Sequence, residues 1–146
     1  MRALQVRELL ADHGGAGLAD LAVPVPGPDE VRVRVRAAAV NFPDLLMTSG
    51  GYQLKPELPF VSGLEFAGEV DAVGEGVAGW AAGDAVVGGN RFGAMAEYAV
   101  VPASALRAKP GGLSWDEAAA YPVAYLSAYV ALVPCARIGP GEGLLG

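Results

Sequence analysis

Cysteine and histidine are almost missing from this chain of 146 residues: Cys135 and His13 each stand alone, far apart in sequence. One cysteine excludes an internal disulfide framework, and its expected place is a small buried apolar position. The two together cannot supply the three nitrogen or sulfur ligands of a typical catalytic zinc, still less the four of a structural zinc. His13 lies in a glycine turn without an evident orienting partner, and no G-x-S-x-G occurs, which speaks against a Ser-His-Asp hydrolase. Neither a Walker loop nor a G-x-G-x-x-G is present. Cations are scarce as well. Ten Lys and Arg against 16 Asp and Glu leave a net charge of −6, whereas a nucleic-acid partner calls for clustered positive charge. The first ten residues carry Arg2, Arg7 and Glu8 and no apolar leader core, so the expected location is the cytoplasm.

Apolar residues are abundant, at 53% against 18% charged, which is the balance of a folded core and not of disorder. The 21 Gly and 11 Pro recur at short intervals, as tight turns between short strands do. Strands are expected over residues 1–8, 18–25, 30–40, 68–73, 84–88 and 94–101. The clearest is 30–40, where Val31, Val33 and Val35 alternate with Arg32, Arg34 and Arg36; this period of two puts the arginines on a solvated face. Residues 41–48 read as one or two helical turns ended by Ser49-Gly50-Gly51. The overall class is mainly β with a few short helices, in the manner of a barrel.

The pattern changes after Pro110-Gly111-Gly112. Ser114-Trp115-Asp116-Glu117 fits a capping box. It opens a short helix expected to break at Pro122, with a second helix starting at that proline and carrying Tyr125, Leu126, Tyr129 and Leu132 on one face. Residues 118–136 hold no charge over nineteen positions, but their prolines, tyrosines and Ser127 favour a pair of buried helices over a membrane span. A turn at 140–143 leads into a possible strand from Leu144-Leu145.

Few residues can carry chemistry. Asn41 and Asp44, three apart, share one face of a helical turn. They read either as a cap beside a solvated acid or as an amide donor oriented by the carboxylate. Tyr52 follows a flexible glycine pair and can donate to a developing oxyanion, since a phenol is a donor at neutral pH; ordinary packing is the alternative. Glu65, flanked by Leu64 and Phe66, needs a partner if buried, such as one of the arginines.

The phrases VRVRVRAAAVNFPDLL, SGLEFAGEVDAVGEGV, AAGDAVVG, AEYAVVPASAL, LSWDEAAAYPVAYLSAYVAL and PGEGLLG occur in the order in which the chain resembles the medium-chain dehydrogenase/reductase superfamily, nearest its zinc-independent quinone oxidoreductases. The resemblance implies a GroES-like, partly open β-barrel over residues 1–120. Residues 121–146 would be a helix and linker leading into a nucleotide-binding Rossmann domain outside this chain. Zinc-dependent relatives carry ligands where this chain has Asn41 and Leu64, and close to Val123, so no metal is implied. The resemblance makes Asn41, Asp44 and Tyr52 catalytic; Asn41, Phe42 and Ser127 contacts to the cofactor; and Leu46, Tyr52 and Leu64 contacts to substrate. Leu46 stands where some relatives have an aromatic residue. The implied cofactor is NADPH, the acceptor a quinone or enone, and the intact enzyme a homodimer, with no membrane or nucleic-acid partner. A stand-alone GroES-like binding module and an enoyl reductase of fatty-acid or polyketide type are the other readings.

Overall fold

A computed structural model describes residues 1–144. Two antiparallel sheets make up the body. The smaller joins β1 (Arg2–Val6), β2 (Ala16–Asp20) and β4 (Phe60–Val61) in the order β2-β1-β4; the larger has the order β7-β3-β5-β6-β8. Its strands are β3 (Glu30–Ala39), β5 (Glu65–Val73), β6 (Ala85–Gly89), β7 (Tyr98–Pro102) and β8 (Leu106–Ala108). The sheets do not close into a barrel, which agrees with the partly open form expected.

β3 owes its place to its period of two. Val31 and Val33 are fully buried with Phe66, Val70, Val86, Val101 and Leu106 in the main core. The alternate arginines are not merely solvated. Arg32 pairs with Asp71 at 2.6 Å and Arg36 with Glu69 at 2.6 Å across the β3–β5 ladder, and Arg34 donates to the Tyr98 hydroxyl at 3.0 Å. Cross-strand charge pairs of this kind each contribute a few tenths of a kcal/mol up to about 1 kcal/mol.

Boundaries differ from expectation where pairing ends. The second strand stops at Asp20 because its register with β1 runs out there. The strand expected over 94–101 begins only at Tyr98, and β4 and β8 are additions that carry little periodicity in so few residues. Helix α1 (Phe42–Thr48) covers the smaller sheet, packing Met47 against Val6 and Phe60. His13 ties the loop after β1 to this helix. The Thr48 hydroxyl donates to the Leu45 carbonyl at 2.8 Å, so His13 Nδ1, 2.7 Å away, is the donor to Thr48.

The proline at 122 does not end a helix. α2 runs unbroken over Trp115–Val130 and continues through a wider turn at Ala131–Cys135, where the Ala136 N–H reaches the Ala131 carbonyl. The capping box forms as expected: Ser114 Oγ accepts from the Glu117 amide at 3.2 Å, and Glu117 Oε2 from the Ser114 amide at 2.8 Å. α2 is not a buried pair of helices. Only Ala118 and Ala119 are buried, against Ala67 and Val87 of the large sheet. The run Trp115–Cys135 is long and apolar enough to cross a membrane by length and composition. Cys135, expected inside, is exposed at its end. Of the strand expected from Leu144-Leu145, Leu145 lies outside the described residues.

Candidate functional site

The strand β5 sets the site, because successive residues point to opposite faces. Phe66 enters the main core, while Glu65 and Ala67 face α2. Glu65 is 1% exposed, and none of the arginines reaches it, contrary to expectation. Its two oxygens are held separately: Oε1 accepts from Asn41 Nδ2 at 2.9 Å, and Oε2 from the Val123 backbone N–H at 2.7 Å. The second contact follows from the proline before it. Pro122 lacks an N–H and crowds the carbonyl one turn earlier, which loosens the helix ladder locally, and the next amide turns to the carboxylate.

Asn41 stands at the entry of α1, and its backbone N–H donates to Asp44 Oδ2 at 2.8 Å. The acid covers the amide's backbone in a capping box whose other half sets the Asn41 side chain against the Asp44 N–H, and the NH₂ end of the same side chain reaches Glu65. Asp44 is not solvated. It is 3% exposed, and among the described residues its Oδ1 has no hydrogen-bond partner. Burial raises its carboxyl above the ordinary 3.8, against the opposing pull of the Asn41 and Gly63 amides, and the nearby Glu65 adds to the rise.

Tyr52 and Leu64 are brought together, half-buried on the cluster of Val6, Met47 and Phe60. Leu46 is half-buried on α1, and Phe42 is 70% exposed at its start. A cleft of about 440 Å³ is lined by Leu64, Glu65, Asn90, Arg107, Pro122 and Val123 among others; Leu64 lines it, whereas Asn41, Phe42, Leu46 and Tyr52 do not. Ser127 is apart from this group. It is exposed one turn beyond Val123, in a separate hollow with Leu126, Val130 and Cys135. The positions that the resemblance equates with zinc ligands, Asn41, Leu64 and Val123, thus gather around Glu65. Among the described residues no cluster of three His, Cys, Asp or Glu forms. The sequence reading missed the Asn41–Glu65–Val123 link. A proline inside an apolar helix, with a lone acid in an apolar strand, was the available signal, but nothing local relates residues 58 apart.

Comparison with known proteins gives a consistent picture. Residues 27–111 match the model of the alcohol dehydrogenase GroES-like domain. A synaptic vesicle membrane protein VAT-1 homolog of Rattus norvegicus is 43% identical over 122 residues, covering 84% of this chain and 30% of the relative. The quinone oxidoreductase-like protein 2 homolog of Nematostella vectensis is 44% identical over 120 residues, 82% of this chain and 33% of its own length. Among solved structures, the quinone oxidoreductase of Thermus thermophilus, described with its NADPH complex, superposes with a TM-score of 0.83 at 37% identity. The match covers 97% of this chain and 43% of that one. The chain spans about a third of the length of the curated relatives it matches.

Proposed function

Because this chain belongs to the alcohol dehydrogenase GroES-like domain family, we propose that it forms the substrate-side wall of a metal-independent reductase that passes hydride from NADPH to a quinone or enone. The observation that carries this is the donor set around Glu65. Where zinc-dependent relatives place ligands, this chain offers an amide, a leucine and a backbone N–H, two of them already donating to one carboxylate. The set is poor in ligands for a metal, and the second N–H of the Asn41 amide is the donor it leaves for an oxygen that gains negative charge.

NADPH, when bound, supplies the hydride; the NADPH complex of the Thermus thermophilus relative supports that choice. Leu64 gives the cleft an apolar wall for a flat ring, and the exposed Phe42 and half-buried Leu46 of α1 are assigned as further contacts to cofactor and substrate. Asn41 Nδ2 carries two hydrogens and spends one on Glu65, so the other is left for a substrate oxygen. Tyr52 donates a second bond to the same oxygen, and Ser127 meets the cofactor's ribose or amide. Residues 1–120 act as the substrate-side domain and 121–146 lead toward a nucleotide-binding half, in a cytoplasmic homodimer.

The product of the complete reading frame tests this. It is expected to oxidise NADPH with 1,4-benzoquinone at a rate unchanged by a chelator, and to slow in Asn41→Ala and Tyr52→Phe without loss of folding. Activity that disappears on chelation and returns with zinc rejects the metal-independent mechanism. Full rates in both variants reject the residue roles.

A further inference from the structure

Glu65 is a buried carboxylate that the proposed chemistry does not use directly, and no salt bridge among the described residues includes it. We infer that Glu65 is a positioning residue: it holds the donating end of the Asn41 amide and so fixes which groups of that amide are left for substrate, and it ties that amide to α2 at its proline. The inference rests on the role proposed above for Asn41.

The logic is one of donors and acceptors. Val123 offers a backbone N–H at 2.7 Å, which can only donate, so one Glu65 oxygen must be an acceptor there. The other oxygen accepts from the NH₂ end of Asn41 at 2.9 Å, so both Glu65 oxygens act as acceptors. An amide presents a donor at one end and an acceptor at the other; the capping box at α1 sets the accepting end toward the Asp44 N–H, and Glu65 takes the donating end. The Asn41 backbone is held separately, by Asp44 at 2.8 Å. The donating end is therefore held from β5, in the sense the capping box also favours, and Asn41 Oδ1 and the second N–H are directed away from Glu65. The same carboxylate binds the loosened turn of α2, so the orientation of the amide and the seat of the helix depend on one group.

Glu65→Gln tests this, because a carboxamide keeps the size but has one accepting end. Val123 cannot reverse its polarity and keeps the oxygen; Asn41 then has to turn over, its Oδ1 accepting from the new NH₂. In the nitrogen-15-labelled 146-residue chain, the two Asn41 side-chain protons are expected to be well separated in the parent, one bonded to a carboxylate, and to converge in Glu65→Gln while the Val123 amide remains bonded. In the complete reading-frame product, kcat with NADPH and 1,4-benzoquinone is expected to fall about tenfold or more with KM nearly unchanged, and Asn41→Ala is expected to lose no further rate when combined with it.

Unmoved Asn41 resonances overturn the inference. So does a Glu65→Gln enzyme of full rate when Asn41→Ala is slow. If both variants keep full rate while the resonances move, it is the role of Asn41 that fails, and with it the catalytic meaning of its orientation. Should Glu65→Gln not fold, the parent spectrum decides: two equivalent, rapidly exchanging Asn41 side-chain protons contradict the link.

Discussion

Gly63→Ala, two residues before Glu65, is expected to be among the most damaging single-methyl changes in the chain. Gly63 is buried with a φ of +102°, a region that non-glycine residues occupy at a cost of about 1–3 kcal/mol. A Cβ built there falls 2.6 Å from the Met95 backbone nitrogen, 2.7 Å from Met95 Cγ and 3.0 Å from Ala94 Cβ. The methionine side chain can move, but its backbone nitrogen cannot without lengthening two bonds: Met95 N–H to the Ser62 carbonyl at 2.8 Å, and Ala94 N–H to the Gly63 carbonyl at 3.0 Å. Each such bond contributes roughly 0.5–1.5 kcal/mol net. Strain and the two bonds together give a loss of about 2–6 kcal/mol, a large share of the roughly 5–15 kcal/mol that holds a typical domain. Gly79→Ala is the control. Its φ is +87° but nothing lies within 4 Å of the added carbon, so only the strain remains. Urea unfolding followed by circular dichroism measures both, with the midpoints compared at equal slope. Equal losses in the two variants would refute the collision and leave backbone strain as the whole effect.

Asp44→Asn is expected to be neutral or stabilising at neutral pH, by about 1 kcal/mol, because it removes a charge that burial and the nearby Glu65 disfavour. The sign follows from linkage. Since burial raises the folded-state carboxyl above the ordinary 3.8, the acid's contribution is fully present below that value and is lost as pH rises through the folded value. Stability measured against pH is therefore expected to slope downward there in the parent and to flatten in the variant; a variant weaker at neutral pH than in acid contradicts it. Ser114→Ala removes the hydroxyl that accepts the Glu117 amide and is expected to cost about 1 kcal/mol, read as a lower thermal midpoint with most helical signal retained.

Much of the architecture was legible because it is written at short range. The alternation of Val31, Val33 and Val35 with three arginines needs only the two-residue period of a strand, and Ser114 to Glu117 needs only one helical turn. The order of motif phrases pointed to the GroES-like domain, which the match over 27–111 bears out. Local reading failed where a distant group changed the balance. Pro122 ends a helix when nothing else engages the disturbed turn, and here Glu65 takes the Val123 amide while Ala118 and Ala119 seat the helix on the sheet. Glu65 was assigned a cationic partner because charge is the common answer to burial; an amide and a backbone N–H answer it equally well.

The sequence by itself determined the strand periodicities, the helix start at Ser114, the absence of a histidine and cysteine set for zinc, and the family. Only the tertiary structure decided that Asn41 and Val123 meet at one carboxylate, that Asp44 is buried with one oxygen bare, and that the apolar face of α2 lies open. Periodicity and capping depend on neighbours along the chain, whose geometry the backbone dictates. The partners of a buried polar group depend on which strands pair and in what register, and those are chosen by the packing of the whole core.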